Sequence, residues 1–144
     1  MADRFVVDTC VFLRWYIPQI GFEHAREVLQ DFLIGAVALE TVDSTRFEFG
    51  QLLRKMGLLK GRLTAAQYRD AVRSIDDLGI TIHGTDANAL ERAGDFAQRH
   101  MLSFFDAVLV DRALQRGVPL LTSDRKLANA VSTVAPIEIL RGIP

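Results

Sequence analysis

Four acids stand where chemistry could be done: Asp8, Glu48, Asp106 and Asp124. Asp8 directly follows the apolar run Phe5-Val6-Val7 and precedes Thr9 and Cys10. Asp124 closes Leu120-Leu121-Thr122-Ser123-Asp124, and Asp106 lies between Phe104-Phe105 and Ala107-Val108. Glu48 comes four residues before Leu52, which puts it about 40° from the buried stripe of a helix. Carboxylates gathered among apolar neighbours repel one another and are poorly hydrated, so such a cluster is costly unless a cation neutralises it. Oxygen-only donors suit hard divalent ions, Mg²⁺ or Mn²⁺. An ion held by a few carboxylates and several waters leaves room for phosphate oxygens, which points to phosphoryl or phosphodiester chemistry. Each acid also has a plain structural reading. Asp8 or Thr9 could cap a helix, as could Asp124, while Ser103-x-x-Asp106 is a capping-box pattern and Glu48 could be a solvated helix residue. The combination is what favours chemistry. If the strands before Asp8 and Asp124 are neighbours, their carboxylates converge at one sheet edge.

The elements that must position these acids follow from periodicity. Phe5-Val6-Val7 reads as a strand covered on both faces, as in a parallel sheet. Asp8 then sits at its carboxyl end, where ligands bind in open α/β sheets. The chain turns helical through Val11 to Tyr16 and stops near Ile17-Pro18, because Pro disfavours helical geometry in the residue before it. A helix is predicted over Phe22 to Ile34, with Ala25, Val28, Leu29 and Phe32 as its stripe and Gly35 as its stop. Ala36 to Leu39 reads as a second strand. Ser44 is the expected N-cap of a helix to Met56, with Phe49, Leu52, Leu53 and Met56 buried. Gly57 to Leu63 reads as a basic loop with Lys60 and Arg62. Thr64-x-x-Gln67 is a capping box opening a helix that Gly79 ends. Ile80 to Ile82 is a third strand, Thr85 or Asp86 caps a helix to His100, and Ser103 opens one ending at Gly117. Val118 to Thr122 is a fourth strand, a short helix follows Asp124, and Ile137 to Leu140 is a fifth strand. Strands alternating with helices predict a three-layer α/β/α fold with a mostly parallel five-stranded sheet. Short connections make residues 1–144 a single domain.

Composition narrows the function classes. Hydrophobic residues make up 49% of 144 residues, enough to bury a sizeable core. No apolar run approaches a membrane span and no signal peptide is visible, so a soluble cytoplasmic protein is expected. A single cysteine, Cys10, excludes an internal disulfide and a multi-cysteine zinc site. The net charge of −1 argues against strong nonspecific nucleic-acid binding. It leaves a nuclease open, because four acids neutralised by metal would leave a positive balance. Several α/β chemistries lack their residues: there is no Gly-rich segment followed by Lys-Ser or Lys-Thr, and no G-x-G-x-x-G opens the first helix. Cys10 stands where a haloacid-dehalogenase-like phosphatase needs a second Asp. A receiver domain would need an acid pair after the first strand, and Asp8 has no acidic neighbour.

Three segments together resemble the PIN-domain ribonucleases, and most closely the VapC-type toxins of bacterial toxin–antitoxin pairs. They are Val6-Val7-Asp8-Thr9-Cys10-Val11-Phe12-Leu13-Arg14-Trp15, Phe47-Glu48-Phe49-Gly50-Gln51-Leu52-Leu53, and Phe105-Asp106-Ala107-Val108-Leu109 with Pro119-Leu120-Leu121-Thr122-Ser123-Asp124-Arg125-Lys126-Leu127. Arg62-Leu63-Thr64 resembles the family's mid-chain helix entry. The resemblance implies a metal-dependent endoribonuclease in which Asp8, Glu48, Asp106 and Asp124 bind one or two Mg²⁺ or Mn²⁺ ions. It implies in-line attack by a metal-activated water, with no covalent intermediate. Thr9 and Thr122 become candidates for orienting the carboxylates. A homodimer and a small antitoxin partner whose tail enters the site are also implied. This chain departs from the family pattern at Cys10, where Ser or Asn is common, at Gln51, where many relatives have Asn, and at Gln19, where Glu is common. None of these removes a core acid. An RNA-processing nuclease without an antitoxin is the alternative within the fold. A non-catalytic PIN-like binding module is the alternative outside enzymology, and retention of all four acids counts against it.

Other residues carry plainer readings. Asp111 lies about 140° around the helix from Asp106 and reads as a surface partner of Arg112 or Gln115. Glu40 and Asp43 are weak rivals to Glu48. His24, His83 and His100 follow no metal spacing and read as surface or capping residues. Arg14, Arg46, Arg54, Lys55, Lys60, Arg62, Arg125 and Lys126 could steer RNA, with Arg125 and Lys126 favoured because they adjoin Asp124. Trp15, Tyr16, Phe32, Phe47 and Phe49 read as core or dimer contacts. Cys10 reads as a small packed residue, not a nucleophile.

Overall fold

The computed structural model describes residues 3–144. Five strands form one sheet in the order β3-β2-β1-β4-β5, with β1 Arg4–Val7, β2 Ala38–Val42, β3 Thr81–His83, β4 Leu120–Thr122 and β5 Ile137–Ile139. Every neighbouring pair is parallel. All strands therefore end at one edge. The pairing of Val7 with Leu121 makes β1 and β4 neighbours. Asp8 extends that pairing by donating its N–H to the Leu121 carbonyl at 3.0 Å.

Alternation along the strands divides the core. Phe5, Val7, Leu39 and Leu121 face helices α1 (Thr9–Leu13), α2 (Phe22–Leu33), α3 (Asp43–Leu52) and α4 (Ala65–Asp77). Val6, Val42 and Leu120 face α5 (Ala87–His100), α6 (Phe104–Arg116) and α7 (Arg125–Val131). This is the three-layer arrangement that strands apolar on both faces require.

Several boundaries differ from the sequence reading. The second strand begins at Ala38, not Ala36, and runs on to Val42. After Gly35 turns at φ +78°, the N–H groups of Ala36 and Val37 both donate back to the Asp31 carbonyl and so finish the preceding helix. The helix bearing Glu48 begins at Asp43 after Val42, so Ser44 is not its cap. That helix passes into a π-helical segment, Leu53–Leu58, and the expected loop at Gly57 starts only beyond it. Asp86, not Thr85, caps α5 by accepting the Ala89 N–H at 2.9 Å. The box at Thr64 and Gln67 forms in both directions.

Candidate active site

Asp8 occupies the N-cap position of α1 but makes no side-chain cap bond. Its carboxylate is therefore free of its own helix. The Thr122 hydroxyl, at the end of the neighbouring strand, donates to Asp8 Oδ2 at 2.8 Å. Burial pushes the Asp8 carboxyl up to about 6; the Thr122 hydroxyl and the neighbouring Cys10 thiol oppose this, and the charges of Asp106 and Glu48 add to it.

The other three acids lie on α6, on α3 and at the start of α7. Asp106 lies in the first turn of α6 and is half-buried. Its backbone N–H donates to Ser103 Oγ at 3.1 Å, and the reciprocal bond of a capping box does not form. Burial raises the Asp106 pKa, the Ser103 hydroxyl lowers it, and Asp124 and Glu48 raise it further. Glu48 projects half-buried from α3. Asp124 is exposed and caps α7, Oδ1 accepting the Leu127 N–H at 3.0 Å. Capping engages one oxygen of Asp124 and leaves the other open.

The charges of Asp106 and Glu48 act on Asp8, and those of Asp124 and Glu48 act on Asp106. Among the described residues, however, no three His, Cys, Asp or Glu side chains form a ready-made metal cluster. The donors are hard oxygens and one carboxylate is desolvated, a chemistry that fits a hard divalent ion.

Thr122 and Thr9 differ in what they do. Thr122 bonds Asp8, whereas the buried Thr9 Oγ1 has no protein partner. Cys10 Sγ lies 3.5 Å from Thr122 Oγ1 and accepts the Ser123 N–H at 3.3 Å. Burial pushes its thiol up to about 12, the Asp8 charge adding to this and the neighbouring Ser123 and Thr122 opposing it, so it is not a thiolate nucleophile. Arg125 and Lys126 are exposed in the first turn of α7, and Arg125 donates to the Ile143 carbonyl at 3.3 Å. Arg14 is turned away from this role, since it donates to the Ile20 and Cys10 carbonyls at 2.8 and 2.9 Å.

Four residues take roles that spacing did not suggest. Asp111 is buried and held by Arg92, with Nε to Oδ1 at 2.9 Å, and is no surface partner of Arg112 or Gln115. Glu40 is fully buried and bonded by Arg4, His83 and Arg116, so it does not compete with Glu48. Asp43 bonds the Thr85 hydroxyl at 2.7 Å. Phe47 is 74% exposed and is not a core residue. With Leu90, Phe104 and Phe105 it lines a cavity of about 260 Å³.

The sheet defines an open parallel α/β protein with Asp8 and Asp124 following two neighbouring strands. The chain belongs to the PIN domain family, whose model matches residues 5–132. No curated protein matches the sequence. Among solved structures it is similar to VapC20 of Mycobacterium tuberculosis, described as a sarcin–ricin-loop-cleaving toxin, at 17% identity over 88% of this chain and 94% of that one, with a TM-score of 0.70. It is similar also to a toxin–antitoxin complex from Klebsiella pneumoniae, at 15% identity over 93% and 95% of the two chains and a TM-score of 0.65. VapBC-5 of Mycobacterium tuberculosis, a member of the VapBC toxin–antitoxin family, matches at 23% identity over 96% and 98%, with a TM-score of 0.58.

Proposed function

We propose that this chain is a divalent-metal-dependent endoribonuclease and the toxin of a VapBC-type pair. The observation that carries the reading is the buried Asp8 at the carboxyl end of the central strand, bonded by Thr122 and felt by the charges of Asp106 and Glu48. Family membership and the named activity of VapC20 supply the reaction class. Asp8, Glu48, Asp106 and Asp124 would hold Mg²⁺ or Mn²⁺, which when bound supplies charge neutralisation and a water of lowered pKa. Asp8 is the rigid member, because its strand is central and Thr122 fixes one carboxylate oxygen. Asp124 is exposed and faces incoming RNA with one oxygen uncommitted, and Arg125 and Lys126 contact the backbone phosphates.

A small antitoxin is the proposed protein partner, supported by the toxin–antitoxin neighbours. A homodimer is supported by the exposed Phe47, Leu90, Phe104 and Phe105. The setting is the cytoplasm, and no described helix is long and apolar enough to cross a membrane.

The test is incubation of structured and unstructured RNAs with the purified chain and Mg²⁺ or Mn²⁺. Cleavage is expected with metal, loss of cleavage with excess chelator, and a fall of about 10²-fold or more in Asp8→Asn. Cleavage that persists in chelator or in Asp8→Asn overturns the reading.

A further inference from the structure

We propose that Cys10 is a positioning residue: its thiol proton fixes the Thr122 hydroxyl on the Asp8 carboxylate. The inference deepens the metal-site reading and rests on it for its consequence, though not for its geometry. A proton count around Thr122 Oγ1 carries it. That hydroxyl has one proton and two lone pairs. The proton lies toward Asp8 Oδ2 at 2.8 Å. One lone pair receives the Asp124 N–H at 3.0 Å. Cys10 Sγ stands 3.5 Å from the same oxygen, where either atom could donate. Since the only Thr122 proton is engaged on Asp8, Cys10 is the donor and its S–H fills the remaining lone pair. The sulfur in turn accepts the Ser123 N–H at 3.3 Å.

The result is a directed chain from Ser123 N–H to Cys10 Sγ–H, to Thr122 Oγ1–H, to Asp8 Oδ2. It leaves the hydroxyl no free rotation and commits Oδ2, so Oδ1 remains for a cation. It also stitches the start of α1 to the end of β4, which are 112 residues apart at Cys10 and Thr122. A thiolate could not donate, so the arrangement requires the thiol form of Cys10. The position needs a side chain that both donates and accepts. Cys meets that need as Ser would, and an aliphatic residue does not.

The test compares the full chain with Cys10→Ala, Cys10→Val and Cys10→Ser. Cys10→Val fills the volume and removes the donor, which separates hydrogen bonding from packing. Two readouts are taken: amide exchange of Ser123 and Asp124 without metal, and Mn²⁺ affinity by titration calorimetry. In Cys10→Ala and Cys10→Val both amides are expected to exchange about tenfold faster and Mn²⁺ to bind about tenfold more weakly, with Cys10→Ser close to wild type on both. Exchange of the Asp124 amide at the wild-type rate in both apolar variants overturns the proposal, as does failure of a folded Cys10→Ser to restore it. Wild-type Mn²⁺ affinity in the apolar variants overturns its metal-positioning consequence. Absence of Mn²⁺ binding by the wild-type chain overturns the metal reading instead, and Asp124 exchange alone then decides the role of Cys10.

Discussion

Asp8 holds its charge in a place that disfavours it. An unfolded Asp ionises near 3.8, whereas burial, resisted by Thr122, keeps the folded Asp8 protonated up to about 6. Between those values the folded state binds more protons, so metal-free stability falls as pH rises through the window and stays lower above it. A gap of that size corresponds to something on the order of 3 kcal/mol. Asp8→Asn removes the charge and keeps an acceptor for Thr122. In chelator at about pH 7.5 the variant should therefore melt at or above the wild-type temperature, and the two should converge near pH 4. Thermal unfolding across that range checks it, and a clearly lower melting temperature for Asp8→Asn at the upper end would contradict a desolvated carboxylate. The acid itself was legible in the sequence because a buried strand runs straight into it. The thiol beside it was legible only as packing. Its partners lie 112 and 113 residues away, and they become partners only because β1 and β4 are adjacent.

Among the elements, the π-helical segment after α3 shows most clearly where local pattern stops informing. Gly57 followed by Leu58 and Leu59 reads as a helix stop, yet the chain stays helical with wider turns through Leu58. Gly57 is buried there. A Cβ on it would meet Leu63 Cδ1 at 2.5 Å, Leu63 Cγ at 2.9 Å and Ile17 Cδ1 at 3.2 Å. Its role is close approach, not chain reversal. Gly57→Ala is expected to lower stability by about 1–3 kcal/mol through overpacking. Urea denaturation measures this, and a wild-type midpoint would mean that Leu63 repacks freely. The Thr64–Gln67 box two turns later was readable because both partners are local. Asp111 was misplaced because Arg92, its partner, lies on α5 and only the packing of α5 on α6 brings it near.

At the scale of the molecule, strand order creates a second charged centre within the sheet. Glu40 lies in register with Val6 of β1 and Thr81 of β3, on the face covered by α6. Its carboxylate receives Arg116 at 2.7 and 3.0 Å, His83 at 2.6 Å and Arg4 at 2.9 Å. One buried group thus joins three strands to the end of a helix, which the sequence, with partners up to 76 residues away, could not reveal. The Arg116 bond, opposed by burial and helped by His83 and Arg4, holds the Glu40 carboxyl down at about 2. An unfolded Glu ionises near 4.5, so this stabilisation is complete above that pH and disappears as pH falls toward 2. Removing a partner and removing the charge should then differ. Arg116→Met leaves a buried anion with fewer donors and is expected to cost about 3–5 kcal/mol near neutral pH. Glu40→Gln should cost less, because Arg4 and Arg116 side chains, 47% and 39% exposed, keep much of their water. Acid should shrink the Arg116→Met deficit as Glu40 takes up its proton. Urea unfolding of both variants near neutral pH and again near pH 4 measures the ordering and its pH dependence. If Arg116→Met is no worse than Glu40→Gln near neutrality, the Arg116 bond is not what holds Glu40 ionised inside the sheet.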